Sequence, residues 1–158
     1  MVMWCKSVVS VTVFELHMQI ICERRHMLHS ELTLKQRILI RAAELIGRPQ
    51  GWCKLQWYNG ERVCMLGAIG RATTELTGLK HSNRVTEILV LRDAYGNTFN
   101  ENVDSVVDLV APFSPIRVRG RSALVAFNDA PNTTQEQVRE VFCKAVKKEL
   151  GEGGEDQQ

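Results

Sequence analysis

Several sequence features that would point to a specific chemistry are missing. The five cysteines, Cys5, Cys22, Cys53, Cys64 and Cys143, are odd in number and contain no Cys-x-x-Cys pair. Neither a zinc framework nor a dense disulfide scaffold is indicated, and reduced thiols in a cytoplasm fit best. The four histidines, His17, His26, His29 and His81, are spread along the chain, so no metal and no cofactor is expected. A net charge of +2 is too small to imply a polyanionic partner without local clustering. No apolar run approaches the roughly 20 residues of a membrane span, and no A-x-A cleavage site follows the first apolar stretch, where Glu15 and His17 interrupt it. Secretion and membrane insertion are therefore not expected. There is no repeat of fixed period. Gly67 to Gly70 lacks both the glycine spacing of a dinucleotide fingerprint and the Lys-Ser/Thr pair of a Walker loop, so no nucleotide site follows.

What is present fits one domain. A chain of 158 residues with 44% hydrophobic and 24% charged residues can bury a single core and is too short for two comfortable ones. Residues 1–31 read as an extension, either an edge strand around the β-branched Ser7 to Phe14 run or a leader from an upstream start. Residues 32–150 form the domain, and 151–158 an acidic flexible tail. Thr33-Leu34-Lys35-Gln36 is a reciprocal capping box, and Leu34, Ile38, Ala42, Leu45 and Ile46 recur on one helical face up to Gly47 and Pro49. Trp52 to Tyr58, Asn59-Gly60 and Arg62 to Cys64 read as a hairpin about a type I′ turn. A ribbon this short must be packed onto helices through Trp52, Leu55 or Trp57. A second helix runs from Met65 to Leu76 and stops at Gly78. Shorter helices are expected over Arg84 to Arg92 and Val103 to Val110, with Asp93 to Thr98 as the loop between them. Another is expected over Ser122 to Phe127. Thr133-Thr134-Gln135-Glu136 reads as a capping box opening a last amphipathic helix that ends near Leu150. The expected fold is α+β and mainly helical, about five helices around a short β-hairpin.

Three constellations carry candidate chemistry. Cys64 stands where a strand meets a helix start, and a helix N-terminus lowers a thiol pKa. A catalytic cysteine needs a base, and His81 is the one histidine that follows it. The competing reading is a small buried side chain filling the gap between hairpin and helix. Asn128 and Asp129 read either as the turn between two helices, bonded to local backbone, or as a polar site. Arg117, Arg119 and Arg121 alternate and would share one face of an extended segment; Lys80, His81 and Arg84 make a second basic spot. Nucleic acid is a candidate partner there, although no aromatic residues interleave for base stacking.

The segments Gly60-Glu61-Arg62-Val63-Cys64-Met65-Leu66-Gly67-Ala68-Ile69 and Phe127-Asn128-Asp129-Ala130-Pro131-Asn132-Thr133-Thr134-Gln135-Glu136-Gln137-Val138 resemble an uncharacterised family of small proteins from actinobacteria and their phages. Its members carry a Cys-x-x-Gly-Ala helix and a Trp-Asn-Asp turn before the last helix. The resemblance covers residues 34–150, with Phe127 in place of the usual Trp, and brings no activity with it. It implies that Cys64, Gly67, Asn128 and Asp129 are the matched positions and that the protein is a phage or prophage accessory protein. With His81 added, these residues form the expected binding site of a non-enzymatic cytoplasmic interaction protein whose ligand is a protein or a small molecule. The alternatives are a cysteine-dependent enzyme using Cys64 and a weakly basic nucleic-acid binder.

Overall fold

The computed structural model describes residues 31–79 and 98–151. The chain divides into two compact units, Met1–Leu32 and Thr33–Gln158, and nearly all described residues belong to the second. Expectations for the extension, for Lys80, His81 and Arg84, for the helix over Arg84 to Arg92 and for most of the tail lie outside the described residues. Within them the fold is mainly helical α+β, with five α-helices and a two-stranded antiparallel hairpin.

Helix α1, Leu34–Gly47, opens on the expected capping box: the Thr33 hydroxyl accepts from the Gln36 N–H, and the Thr33 N–H donates to the Gln36 side chain at 2.9 Å. It ends at Gly47, where the pattern placed its stop. Gly47 takes no left-handed cap; Arg48 turns extended at φ −62°, ψ 147°, as a residue before proline prefers. The last carbonyls are satisfied from a distant helix. Gln135 donates to Ile46 and Arg48, and Arg139 to Gly47 at 2.7 Å.

The hairpin is smaller than its sequence pattern suggests. Strands β1, Tyr58–Asn59, and β2, Arg62–Val63, pair Asn59 with Arg62, so the two turn residues are Gly60 and Glu61. Only Gly60 has a positive φ, 62°, which places glycine first as in a type II′ turn rather than the expected I′. Residues 53–57 form a loop, and Trp52 meets Val63 in a lone parallel bridge. The ribbon is anchored by Val63, fully buried, while Leu55 stays 79% exposed. Leu55 therefore does not pack the hairpin onto the helices.

Helix α2, Met65–Thr77, ends at Gly78, whose φ of 73° and N–H bond to Thr74 are a left-handed cap. Helix α3, Phe99–Val110, begins four residues earlier than expected because Thr98, assigned to a loop, forms a capping box with Glu101. A single 3-10 turn, Ala111–Phe113, follows. Helix α4, Gly120–Asp129, extends beyond the expected segment at both ends, and helix α5, Gln135–Glu149, closes the described chain. The capping box of α5 sits one residue later than expected, on Thr134 and Gln137. Thr133 is occupied elsewhere, its hydroxyl donating to the Phe127 carbonyl at 2.6 Å.

Helix α1 packs on α2 and α5, and α2 on α3 and α4. Ile38, Leu39, Ile46, Met65, Ile69, Val106, Leu124 and Phe142 are nearly or fully buried among them. Phe127, 6% exposed, belongs to this core. No helix of the described residues is long and apolar enough to cross a membrane.

Candidate functional site

The two segments singled out in the sequence meet. Asn128, in the last turn of α4, reaches across to the loop before β1 and to the first residue of α2. Its Oδ1 accepts from the Trp52 indole at 2.7 Å and from the Met65 backbone N–H at 3.0 Å. Its Nδ2 donates to the Cys53 carbonyl at 3.2 Å and to Asp129 Oδ1 at 2.8 Å. Only 1% of Asn128 is exposed, so burying its amide is tolerable because both ends are bonded. Met65 is the first residue of α2, whose N–H has no partner within its own helix. Asn128 thus supplies, from another helix, the acceptor that α2 lacks.

These bonds correct the turn reading of Asn128-Asp129. Neither residue adopts a left-handed backbone, and Asn128 bonds to backbone more than sixty residues away rather than to its own turn. Asp129 works alongside it, accepting the Leu55 N–H at 2.8 Å through Oδ1. Lys54 completes the tether by donating to the carbonyls of Ala130 at 2.6 Å and Pro131 at 3.0 Å, a cation placed at the C-terminal end of α4 as the helix dipole favours.

Cys64 is the N-cap of α2, its Sγ accepting from the Gly67 N–H at 3.2 Å. Burial is the largest influence on this thiol and pushes its pKa up; the amides of Gly67 and Leu66 pull it down by less, and Cys53 and Asp129 push it further up. The expected lowering by the helix start is present but loses to desolvation. Cys53 and Cys143 are also raised, mainly by burial. His81, expected as the base, lies outside the described residues. Gly67 has a steric reason to be glycine, because a Cβ there would collide with the Trp57 carbonyl oxygen.

Together these parts enclose a cleft of about 170 Å³, lined by Leu55, Gln56, Trp57, Cys64, Leu66, Leu124, Val125, Asn128 and Asp129. Its rim is mainly apolar: Leu55, Trp57 and Val125 are 79%, 40% and 42% exposed, with exposed Gln56 the polar member. Leu55 also holds a φ of 61°. Sequence reasoning missed the roles of Trp52, Lys54 and Leu55, since a residue-by-residue pattern shows neither an indole aimed at a distant amide nor a leucine forced into a left-handed turn.

The three arginines do not share a face. Residues 114–118 are a series of bends, and Arg121 lies in the first turn of α4, bonded to Asp104 at 2.6 Å and to Asn100 at 3.0 Å. Arg117 and Arg119 remain together along a groove of about 500 Å³ shared with Asp108, Pro112 and Val118. A continuous basic stripe is therefore absent from this segment.

Residues 31–148 match the model of a family of unknown function, DUF6197. The chain belongs to this family. The DUF6197 match takes in both the Cys64 helix start and the Asn128-Asp129 pair. No curated protein and no solved structure matches the chain.

Proposed function

We propose that this DUF6197 member is a non-enzymatic binding module whose ligand site is the cleft between the 52–57 loop, the start of α2 and the Asn128-Asp129 end of α4. The observation that carries the reading is Leu55. A bulky side chain at φ 61° costs about 1 kcal/mol or more relative to an ordinary backbone conformation. Leu55 is 79% exposed, so packing in the free protein returns almost none of that cost. The Asp129 carboxylate holds the Leu55 N–H and so fixes this backbone, leaving the side chain presented at the cleft mouth, as strained residues are at ligand clamps. Trp57 and Val125 extend the same apolar rim, the pattern that marks contact surfaces on soluble proteins.

A cysteine enzyme is the weaker reading, because burial pushes the Cys64 thiol pKa up and its sulfur already caps α2. The free state of Cys53, Cys64 and Cys143 supports a reducing, cytoplasmic setting, and the family resemblance supports a phage or prophage accessory role. The test is a fragment and peptide screen read by amide and indole NMR shifts. Ligands should perturb Leu55, Trp57, Leu66 and Val125, and Leu55→Gly should weaken them while the melting temperature holds. Ligands that map elsewhere, or that ignore Leu55→Gly, would overturn the proposal.

A further inference from the structure

We infer that the cleft takes the cationic, aliphatic side chain of a basic peptide segment, lysine-like in form, with Asp129 as its counter-charge. This rests on the reading of the cleft as a binding site and adds the chemistry of its occupant.

Size is the first constraint. A space of about 170 Å³ falls below the ~300 Å³ at which pockets for whole small molecules begin. It suits one long side chain anchored from a larger partner. The walls set the second constraint: Leu66, Leu124 and Val125 offer aliphatic surface. An alkyl stem is favoured against all three, with its charged head left at the mouth.

Charge decides the sign. Asp129 lines the cleft, and its Oδ1 takes the bonds from Leu55 and Asn128. Among the described residues, no cation forms an ion pair with Asp129. Lys54, the nearest basic residue in sequence to the Leu55 rim, spends its ammonium on the Ala130 and Pro131 carbonyls. Asp129 also acts on the Cys64 thiol as a negative neighbour; at Cys53 its influence is opposed by Arg62 and Arg71. The two N–H donors carry no net charge, so an anionic occupant would be repelled by this carboxylate and an apolar one would desolvate it, whereas an ammonium or guanidinium gains a charge-assisted hydrogen bond.

Asp129→Asn separates charge from architecture, since an amide oxygen still accepts from Leu55 and Asn128. The experiment titrates N-acetyl-lysine methylamide and N-acetyl-norleucine methylamide into wild type and Asp129→Asn, following the Leu55, Leu66 and Val125 amides and the Trp57 indole by NMR. The lysine probe should bind wild type at least ~3-fold more tightly than the norleucine probe, and Asp129→Asn should remove the difference. If Asp129→Asn unfolds, the wild-type salt dependence replaces it: 0.5 M salt should weaken the lysine probe and spare the norleucine probe. Equal binding of both probes, insensitive to salt and to Asp129→Asn, would overturn the cation assignment and leave the cleft reading standing. Absence of any cleft shift with the lysine probe would overturn the assignment as well, and the fragment screen then decides the cleft reading separately.

Discussion

Replacing Asn128 with alanine should destabilise the fold more than any other single polar truncation among the described residues. The change strands three partners at once: the Met65 N–H, the Trp52 indole N–H and the Cys53 carbonyl. A buried group left without a partner costs about 1 to 3 kcal/mol. Met65 is fully buried and Cys53 is 8% exposed, whereas Trp52, half-buried, can recover part of its loss from water. The expected total is about 3 to 5 kcal/mol, a large share of the roughly 6 to 15 kcal/mol that holds a domain of this size. Urea unfolding followed by tryptophan fluorescence and by circular dichroism measures it. Trp52→Phe removes only one of the bonds, so it should cost about 1 kcal/mol and be sub-additive with Asn128→Ala. A loss below ~1 kcal/mol for Asn128→Ala, with the slope of the unfolding transition unchanged, would refute the view that this amide joins α4 to α2.

Gly67→Ala should lower stability by about 1 to 3 kcal/mol, because the new Cβ collides with the rigid Trp57 carbonyl; an unchanged melting temperature would contradict that close approach. Thr98→Ala breaks the capping box of α3 and should cost about 1 kcal/mol in urea unfolding. Stability should also fall at alkaline pH. Burial raises the folded pKa of Cys53, Cys64 and Cys143, so their contribution is complete below the unfolded thiol value of about 8.5. It is lost as pH climbs through the higher folded values. Unfolding free energies at pH 7 and pH 10 check the sign, and a protein equally stable at both would remove thiol burial as the cause.

Local signals in the chain were legible where one element determines its own ends. The Thr33 capping box, the Gly78 stop and the amphipathic face of α5 depend on neighbours within a few residues, and each is where the pattern placed it. Boundaries drifted elsewhere: α3 starts four residues early on the local Thr98–Glu101 capping box, which the pattern passed over as loop, and α5 starts one residue late. Thr133 yields its capping role to Thr134 because its hydroxyl is drawn to Phe127, and α1 needs no glycine cap because Gln135 and Arg139 cover its carbonyls. Among the site residues, Cys64, Gly67, Asn128 and Asp129 could be picked out by type and position. The roles of Asn128 and Asp129 could not, since the bonds that define them span more than sixty residues. The strain at Leu55 left no trace in sequence, because leucine is an ordinary loop residue until its φ is known.

Whether the cleft binds or reacts is settled most directly by the alkylation rate of Cys64. Iodoacetamide labelling of the native protein from pH 6 to pH 10, with each cysteine resolved by peptide mass spectrometry, gives that rate. Cys64 should react more slowly than free cysteine at pH 7 and gain reactivity only above the ordinary thiol range. Labelling faster than free cysteine at neutral pH would reveal an activated thiolate and contradict a site built for binding alone.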